Sequence, residues 1–253
     1  MTSYHSSKKR RADIAARVAA SPRAYPQCIV SECLEPTMGH QRLGLNGNYC
    51  RRHVEHFRRH GSYSKSSYTA AELNPLRRAS QTWLEHHATL PDVREAVDRV
   101  QTRYWLAGRP EEAFRLAGKP PSARAKYVWG RLEQRGVTPY AVLSVWLAVA
   151  SRHAADVQPE RRLEFRLVQA GKVLHRMAGG SHKRWETSDW QGTPEVVELH
   201  KYPSSRGRVL RQLGASLARA AAPLEAHLKA IAVVAADVPV SPRLRLRRPL
   251  RKS

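Results

Sequence analysis

Three cysteines and one histidine are the residues whose types and spacing point most directly to chemistry. Cys28, Cys33 and Cys50 are the only cysteines in 253 residues, and His53 stands three positions beyond the last of them. The pattern is C-x4-C, a sixteen-residue loop, then C-x2-H. A Zn²⁺ ion takes four N/S ligands in a tetrahedron, and two ligand pairs separated by a loop supply them with little backbone strain. The first pair suits a turn, with Pro26 before it and Pro36 after it. The second suits the start of a helix, where residues three apart point to one side. His56 and His60 are the nearest competitors for the fourth position, and the spacing favours His53. Three cysteines cannot all pair as disulfides. The N-terminal MTSYHSSKKRR has no apolar segment after its charges, so nothing there reads as a secretory signal for an oxidising compartment. The expected site is a structural zinc in a treble-clef-like module over residues 25–65.

The end of this stretch, NYCRRHVEHFRRHGS, resembles the small three-Cys, one-His zinc finger of phage and bacterial mobile-element proteins, often found beside HNH endonuclease modules. The matching positions are Cys50, His53, Phe57, Arg58, Arg59 and Gly61. The resemblance covers residues 25–62 and not the remaining four-fifths of the chain. It implies a zinc-bound module working on DNA, as a binder or beside a nuclease.

Charge sets the class of partner. The chain holds 44 Lys and Arg against 21 Asp and Glu, a formal charge of +23. A field of that sign draws polyanions. Nucleic acid is the expected partner, with DNA favoured over RNA on the mobile-element resemblance alone. No apolar run reaches the length of a membrane span; AVLSVWLAVA, from Ala141, reads as a buried helix. The expected location is the cytoplasm, in association with the nucleoid.

The elements that must hold these groups are mostly helical, since Ala, Leu and Arg dominate and strand-and-turn patterns are scarce. A basic arm and short helix occupy residues 1–24, a helical domain 66–240, and a basic tail 241–253. Thr69 with Glu72 forms a capping box for a helix through Trp83, although Asn74-Pro75 offers a second start. Pro91 opens a helix with Val93, Val97, Val100 and Tyr104 on one face, stopping at Gly108. A short turn of helix follows, and then a helix over ARAKYVWGRLEQRG that Gly136 closes. Thr138-Pro139 opens the helix expected at the centre of the core. Pro159 opens another that runs to Gly179-Gly180. Residues 179–205 break the rhythm with a β-hairpin or irregular insertion, where Trp185, Trp190 and Tyr202 stand among His182, Lys183, Arg184, His200 and Lys201. Such aromatics either pack onto the helices or stack on bases. Ser204 and Ser205 cap the next helix, and a last apolar helix follows Pro223.

Candidate phosphate contacts are Arg51, Arg52, Arg58 and Arg59 on the zinc-module helix, and Lys65 in a Ser/Tyr/Lys linker that reads equally as a flexible tether. Lys183 and Arg184 lie in the insertion. Arg206, Arg208 and Arg211 gather at a helix N-terminus, where free N–H groups favour anions. Arg245, Arg247 and Arg248 lie in the tail, where they suit an electrostatic arm.

The common nuclease sites lack their residues. An HNH site needs an asparagine to orient its general-base histidine. The only asparagines are Asn46, Asn48 and Asn74, and none stands behind His86-His87 at a working distance. Mg²⁺-dependent sites need clustered carboxylates, yet Asp156, Asp189 and Asp237 are scattered and no acid-x-Lys triplet follows Asp92. Tyr202, the late candidate for a recombinase nucleophile, has no Arg/His/Arg set ahead of it. The expectation is a non-enzymatic nucleic-acid binder. A metal-dependent nuclease, HNH-like or other, and an adaptor subunit of a recombination or transposition complex are the alternatives.

Overall fold

A computed structural model of the chain describes residues 26–38, 47–203 and 207–228, with isolated positions 12 and 16. The basic N-terminal block, the loop at 39–46, the Ser204/Ser205 caps, Arg206, most of the expected last helix and the basic tail with Arg245, Arg247 and Arg248 lie outside the described residues. The chain divides into two units, residues 1–67 and 68–253.

The first unit is small and poor in apolar burial. Its helix α1, Arg51–His60, contains no buried residue and ends at Gly61, whose φ of 77° gives the left-handed turn that only glycine takes without cost. Among its described residues only Cys28, Thr37, Cys50, Gly61 and Ser62 are buried. The Ser/Tyr/Lys stretch after α1 is not a free tether, because it folds back on the helix. Tyr63 stacks on Tyr49 at 3.4 Å and on Phe57 at 4.5 Å between ring centroids. His56 Nδ1 lies 2.8 Å from the Ser62 carbonyl, and the Ser62 hydroxyl accepts from the Lys65 N–H at 2.9 Å.

The second unit is a multi-helix bundle with one hairpin, so the mainly α architecture expected from the sequence is what forms. Its helices are α2 Ala70–His86, α3 Pro91–Ala107, α4 Pro121–Gln134, α5 Pro139–Ala154, α6 Leu163–Ala178 and α7 Gly207–Ala221. Single 3-10 turns at Ala113–Leu116 and Ala222–His227 complete it. The capping box of Thr69 and Glu72 opens α2. Pro75 does not restart the helix; it rides inside α2. Thr138 accepts from the Ala141 N–H and opens α5, every residue of which from Val142 to Ser151 is buried. That run is the centre of the core, with Leu143, Val145 and Leu147 fully inaccessible.

One helix start differs from expectation. α6 begins at Leu163 and not at Pro159, because Glu160 is committed to other bonds: its carbonyl meets His153 Nε2 at 2.7 Å and its carboxylate accepts from the Arg162 N–H. α6 then crosses α7 at two glycines. A Cβ on Gly171 would run into the Leu210 carbonyl, and one on Gly214 into the Leu167 carbonyl. Two helix backbones approach this closely only where the side chain is a hydrogen.

Tyr68 fixes the entry to the bundle. Its hydroxyl donates to Asp156 at 2.6 Å, and Arg152 bridges Asp156 at 2.9 Å and Glu72 at 3.0 Å. The insertion is a regular antiparallel hairpin, β1 Ser181–Ser188 with β2 Pro194–Lys201, in the register Ser181↔Lys201 to Ser188↔Pro194. Asp189 makes its turn by accepting from the Gln191 and Thr193 N–H groups, with Gly192 at φ 83°. Its base is tied to the bundle, since Ser181 Oγ accepts from the Ala113 N–H and Arg131 donates to the Gly180 carbonyl.

Candidate metal centre

Cys28 and Cys33 are brought together by a tight turn. Gln27 pairs with Pro36 as an isolated antiparallel bridge, Cys28 N–H donates to Glu35 O, and Cys33 N–H donates to Val30 O, each at 3.0 Å. Glu32, at φ 66°, takes the left-handed corner of this turn. The return segment closes on it: Ile29 N–H donates to Asn48 O at 3.0 Å and Met38 N–H to Tyr49 O at 3.2 Å. Cys50 then sits at the N-cap of α1 and His53 in its first turn, so both point back at the knuckle.

The four ligand atoms lie within 4.8 Å of one another, close enough to hold a metal ion. Cys28 Sγ and Cys50 Sγ stand 3.3 and 3.2 Å from His53 Nδ1, and Cys33 Sγ is 3.9 Å from Cys50 Sγ. A tetrahedron with bonds of about 2.3 Å to sulfur and about 2.0–2.1 Å to nitrogen has edges of roughly 3.5–3.8 Å, which these separations bracket. None of the cysteines is in a disulfide.

Electrostatics favour a cation here. Burial pushes the Cys28 thiol up, but backbone hydrogen bonds at Cys50 and Val30 outweigh it and leave it below the usual value. Burial pushes Cys50 up and the neighbouring sulfurs of Cys33 and Cys28 add to that, against a backbone bond at His53. Burial, then the charge of Arg52 and the neighbouring His56, hold His53 below the usual imidazole range, in the neutral form that ligates. Crowded sulfurs that raise one another's cost of ionising are relieved by a bound cation. The competing histidines are occupied elsewhere. His56 meets Ser62, His60 Nδ1 lies 2.9 Å from Ser67 Oγ, and the two rings stack at 4.3 Å.

The face of α1 away from the ligands is basic. At 3.6 residues per turn, Arg51, Arg52, Arg58 and Arg59 fall within about 120° of its circumference, opposite His53 and Phe57. All four are exposed. Glu55 lies within the stripe, 3.1 Å from Arg51 and 3.9 Å from Arg59. Pairs as exposed as these contribute about 0.5 kcal/mol or less and exchange readily for another anion.

The remaining predicted cations are scattered among different partners. Lys65 is half-buried, and Arg208 is exposed on α7. Lys183 pairs with Glu112 at 2.8 Å and lies over the Phe114 ring, Arg184 is 3.7 Å from Glu198, and Arg211 holds Glu164 at 2.9 Å. Trp190 and Tyr202 are largely exposed, at 91% and 69%, and Trp185 is 44% exposed. A second constellation escaped sequence reasoning: His182, Glu198 and His200 converge on one face of the hairpin. Its signal, a histidine on one strand opposite E-x-H on the other, becomes readable only once the register is known.

No protein-family model, curated protein or solved structure matches this chain. No helix among the described residues is long and apolar enough to cross a membrane.

Proposed function

We propose that the chain is a non-enzymatic nucleic-acid-binding protein, with DNA the favoured target, whose first unit is held together by a structural Zn²⁺. The observation that carries this reading is the division of α1 into a ligand face and an arginine face. Cys50 and His53 at one end of the helix face the Cys28–Cys33 knuckle, and the four arginines opposite are exposed. Three thiolates and an imidazole suit zinc, and four protein ligands leave no position for a catalytic water. Arginines on one stripe of a helix suit phosphates and guanine edges. The net charge of +23 supplies the long-range attraction.

The test is fluorescence anisotropy of the metal-loaded full chain with duplex DNA, single-stranded DNA and a structured RNA across a salt series. Mg²⁺ is present, and the strands are run afterwards on a denaturing gel. On duplex DNA each lost phosphate contact removes about 0.9 from the log–log salt slope. Replacing Arg51, Arg52, Arg58 and Arg59 by glutamine should therefore lower the slope by up to about 3.6. A slope unchanged in the variant overturns the reading, and cut strands replace it with a nuclease.

One observation favours the adaptor as a second reading. Trp105 is 79% exposed and Leu106 51%, and Leu106 borders a groove of about 470 Å³ between α3, α4 and α7. Aromatic and apolar surface of this kind marks protein interfaces. Weak binding to all three nucleic acids, with a partner lost on Trp105→Ser, would decide for it.

A further inference from the structure

On an antiparallel ribbon, residues two apart share a face, and directly opposed residues bring their Cβ atoms to about 4.5–5.5 Å. His182 is opposite His200 and Arg184 is opposite Glu198, so all four stand on one face of the hairpin. Both imidazoles approach the same oxygen. His182 Nε2 is 3.6 Å and His200 Nε2 3.9 Å from Glu198 Oε2, and the three residues each bring a ligand atom within 4.8 Å of the others. The two rings stack at 4.0 Å with 8° between their planes. Arg184 Nε lies 3.7 Å from the other carboxylate oxygen, Oε1, and leaves Oε2 to the histidines. All three residues are exposed, on the face opposite the one through which Lys183 reaches Glu112 and Phe114.

We propose that His182, Glu198 and His200 form a second metal site, selective for a divalent transition-metal ion of the Zn²⁺ class. Two imidazole nitrogens and one carboxylate oxygen suit such ions, whereas Ca²⁺ and Mg²⁺ prefer all-oxygen shells. Bonds of about 2.0–2.2 Å need ligand atoms roughly 3.3–3.5 Å apart. An imidazole ligates along a lone pair in its own ring plane, so metal binding closes the two His–Glu198 separations by a few tenths of an ångström and turns the stacked rings out of parallel to aim both nitrogens at one ion. The strand register already places the three side chains, which keeps the ordering cost low. The donor set differs in kind from Cys28, Cys33, Cys50 and His53. Four protein ligands close that shell, while three here leave a position for water or for an anionic oxygen such as a phosphate oxygen. Without thiolates and in full contact with solvent, the hairpin site binds more weakly. It rests on its own geometry and stands whether or not the chain binds nucleic acid.

The test is metal stoichiometry on the untagged full chain. Titration with Zn²⁺, followed by desalting and elemental analysis, should give one tightly held ion, and calorimetry should detect a second, weaker equivalent. Co²⁺ distinguishes them. The first equivalent brings a near-ultraviolet thiolate charge-transfer band, and the second adds visible absorption with no further thiolate band. His182→Asn, His200→Asn and Glu198→Gln should each abolish the second equivalent and leave the first. The Glu198→Gln variant keeps both rings and the chain's shape, so its loss of metal reads ligation and not unfolding, and unchanged far-ultraviolet circular dichroism checks this. A chain that takes up one equivalent only, or variants that still take up two, would overturn the proposal and leave the cluster a cross-strand contact.

Discussion

Removing the metal from the first unit should unfold that unit and leave the second standing. The residues that are buried decide this. Apart from Cys28 and Cys50, no hydrophobic side chain in the described part of residues 26–67 is buried, and α1 buries none. A ten-residue helix without a packed face is not stable alone in water. The ligands must then supply the folding energy, and zinc bound by such sets contributes about 10–16 kcal/mol at neutral pH, far above what the aromatic stack on Tyr63 can replace. The second unit has its own core around α5 and needs no metal to hold it. Chelation, or Cys50→Ser, should therefore remove about a tenth of the α-helical circular-dichroism signal, the share of α1 among the seven α-helices of the described residues. The assay has an internal control, since all six tryptophans, Trp83, Trp105, Trp129, Trp146, Trp185 and Trp190, belong to the second unit. Their fluorescence and the main thermal transition should not move. If the helical signal survives loss of the metal, or the tryptophan transition shifts with it, the reasoning fails.

Gly171→Ala and Gly214→Ala should each force α6 and α7 apart at carbonyls that cannot yield, at a cost of about 1–3 kcal/mol, and a thermal melt should read a lower midpoint despite the better helix propensity of alanine. Burial works against the Glu72 carboxylate, but hydrogen bonds from Thr69 and the pairing with Arg152 outweigh it and hold its pKa below the usual value. Stability from Glu72 is therefore present above the unfolded pKa and lost as pH falls through the folded one. Urea titrations should show Glu72→Gln less stable than the parent at neutral pH, with the difference disappearing as pH falls through the folded-state pKa. Burial, aided by Arg176, pushes the Lys172 ammonium down to about 8, so the folded chain binds fewer protons than the unfolded one between there and the ordinary lysine range, and stability rises with pH across that window. Lys172→Met should stabilise the fold at neutral pH by about 1 kcal/mol, discounted for partial exposure, and the gain should shrink by about pH 10.

The Cys28, Cys33, Cys50 and His53 cluster and the helix boundaries were legible because they depend on neighbours a few residues apart. C-x4-C and C-x2-H each fit within a single turn of chain, and Thr69 with Glu72, Thr138 with Pro139, and Gly108 and Gly136 act on the backbone beside them. The cysteine sulfurs still had to cross a sixteen-residue loop to meet, yet tetrahedral metal-site geometry limits the answers so tightly that the residue types sufficed. Pro159 misled the same reasoning because its successor Glu160 is engaged by His153, on the preceding helix α5, which no local pattern reveals. What only the tertiary structure decided are contacts set by register and crossing. His182 meets Glu198 and His200 because β1 pairs with β2 in one alignment, and a slip of one residue would send the histidines to opposite faces. Arg211 is tied to Glu164 and Lys183 to Glu112 across distant stretches of sequence, while the arginines of α1 stay exposed. The glycines of α6 and α7 look like ordinary helix weaknesses until two backbones are seen to touch there. Short-range backbone chemistry is written along the chain, whereas the pairing of distant side chains waits on the one arrangement that buries the core.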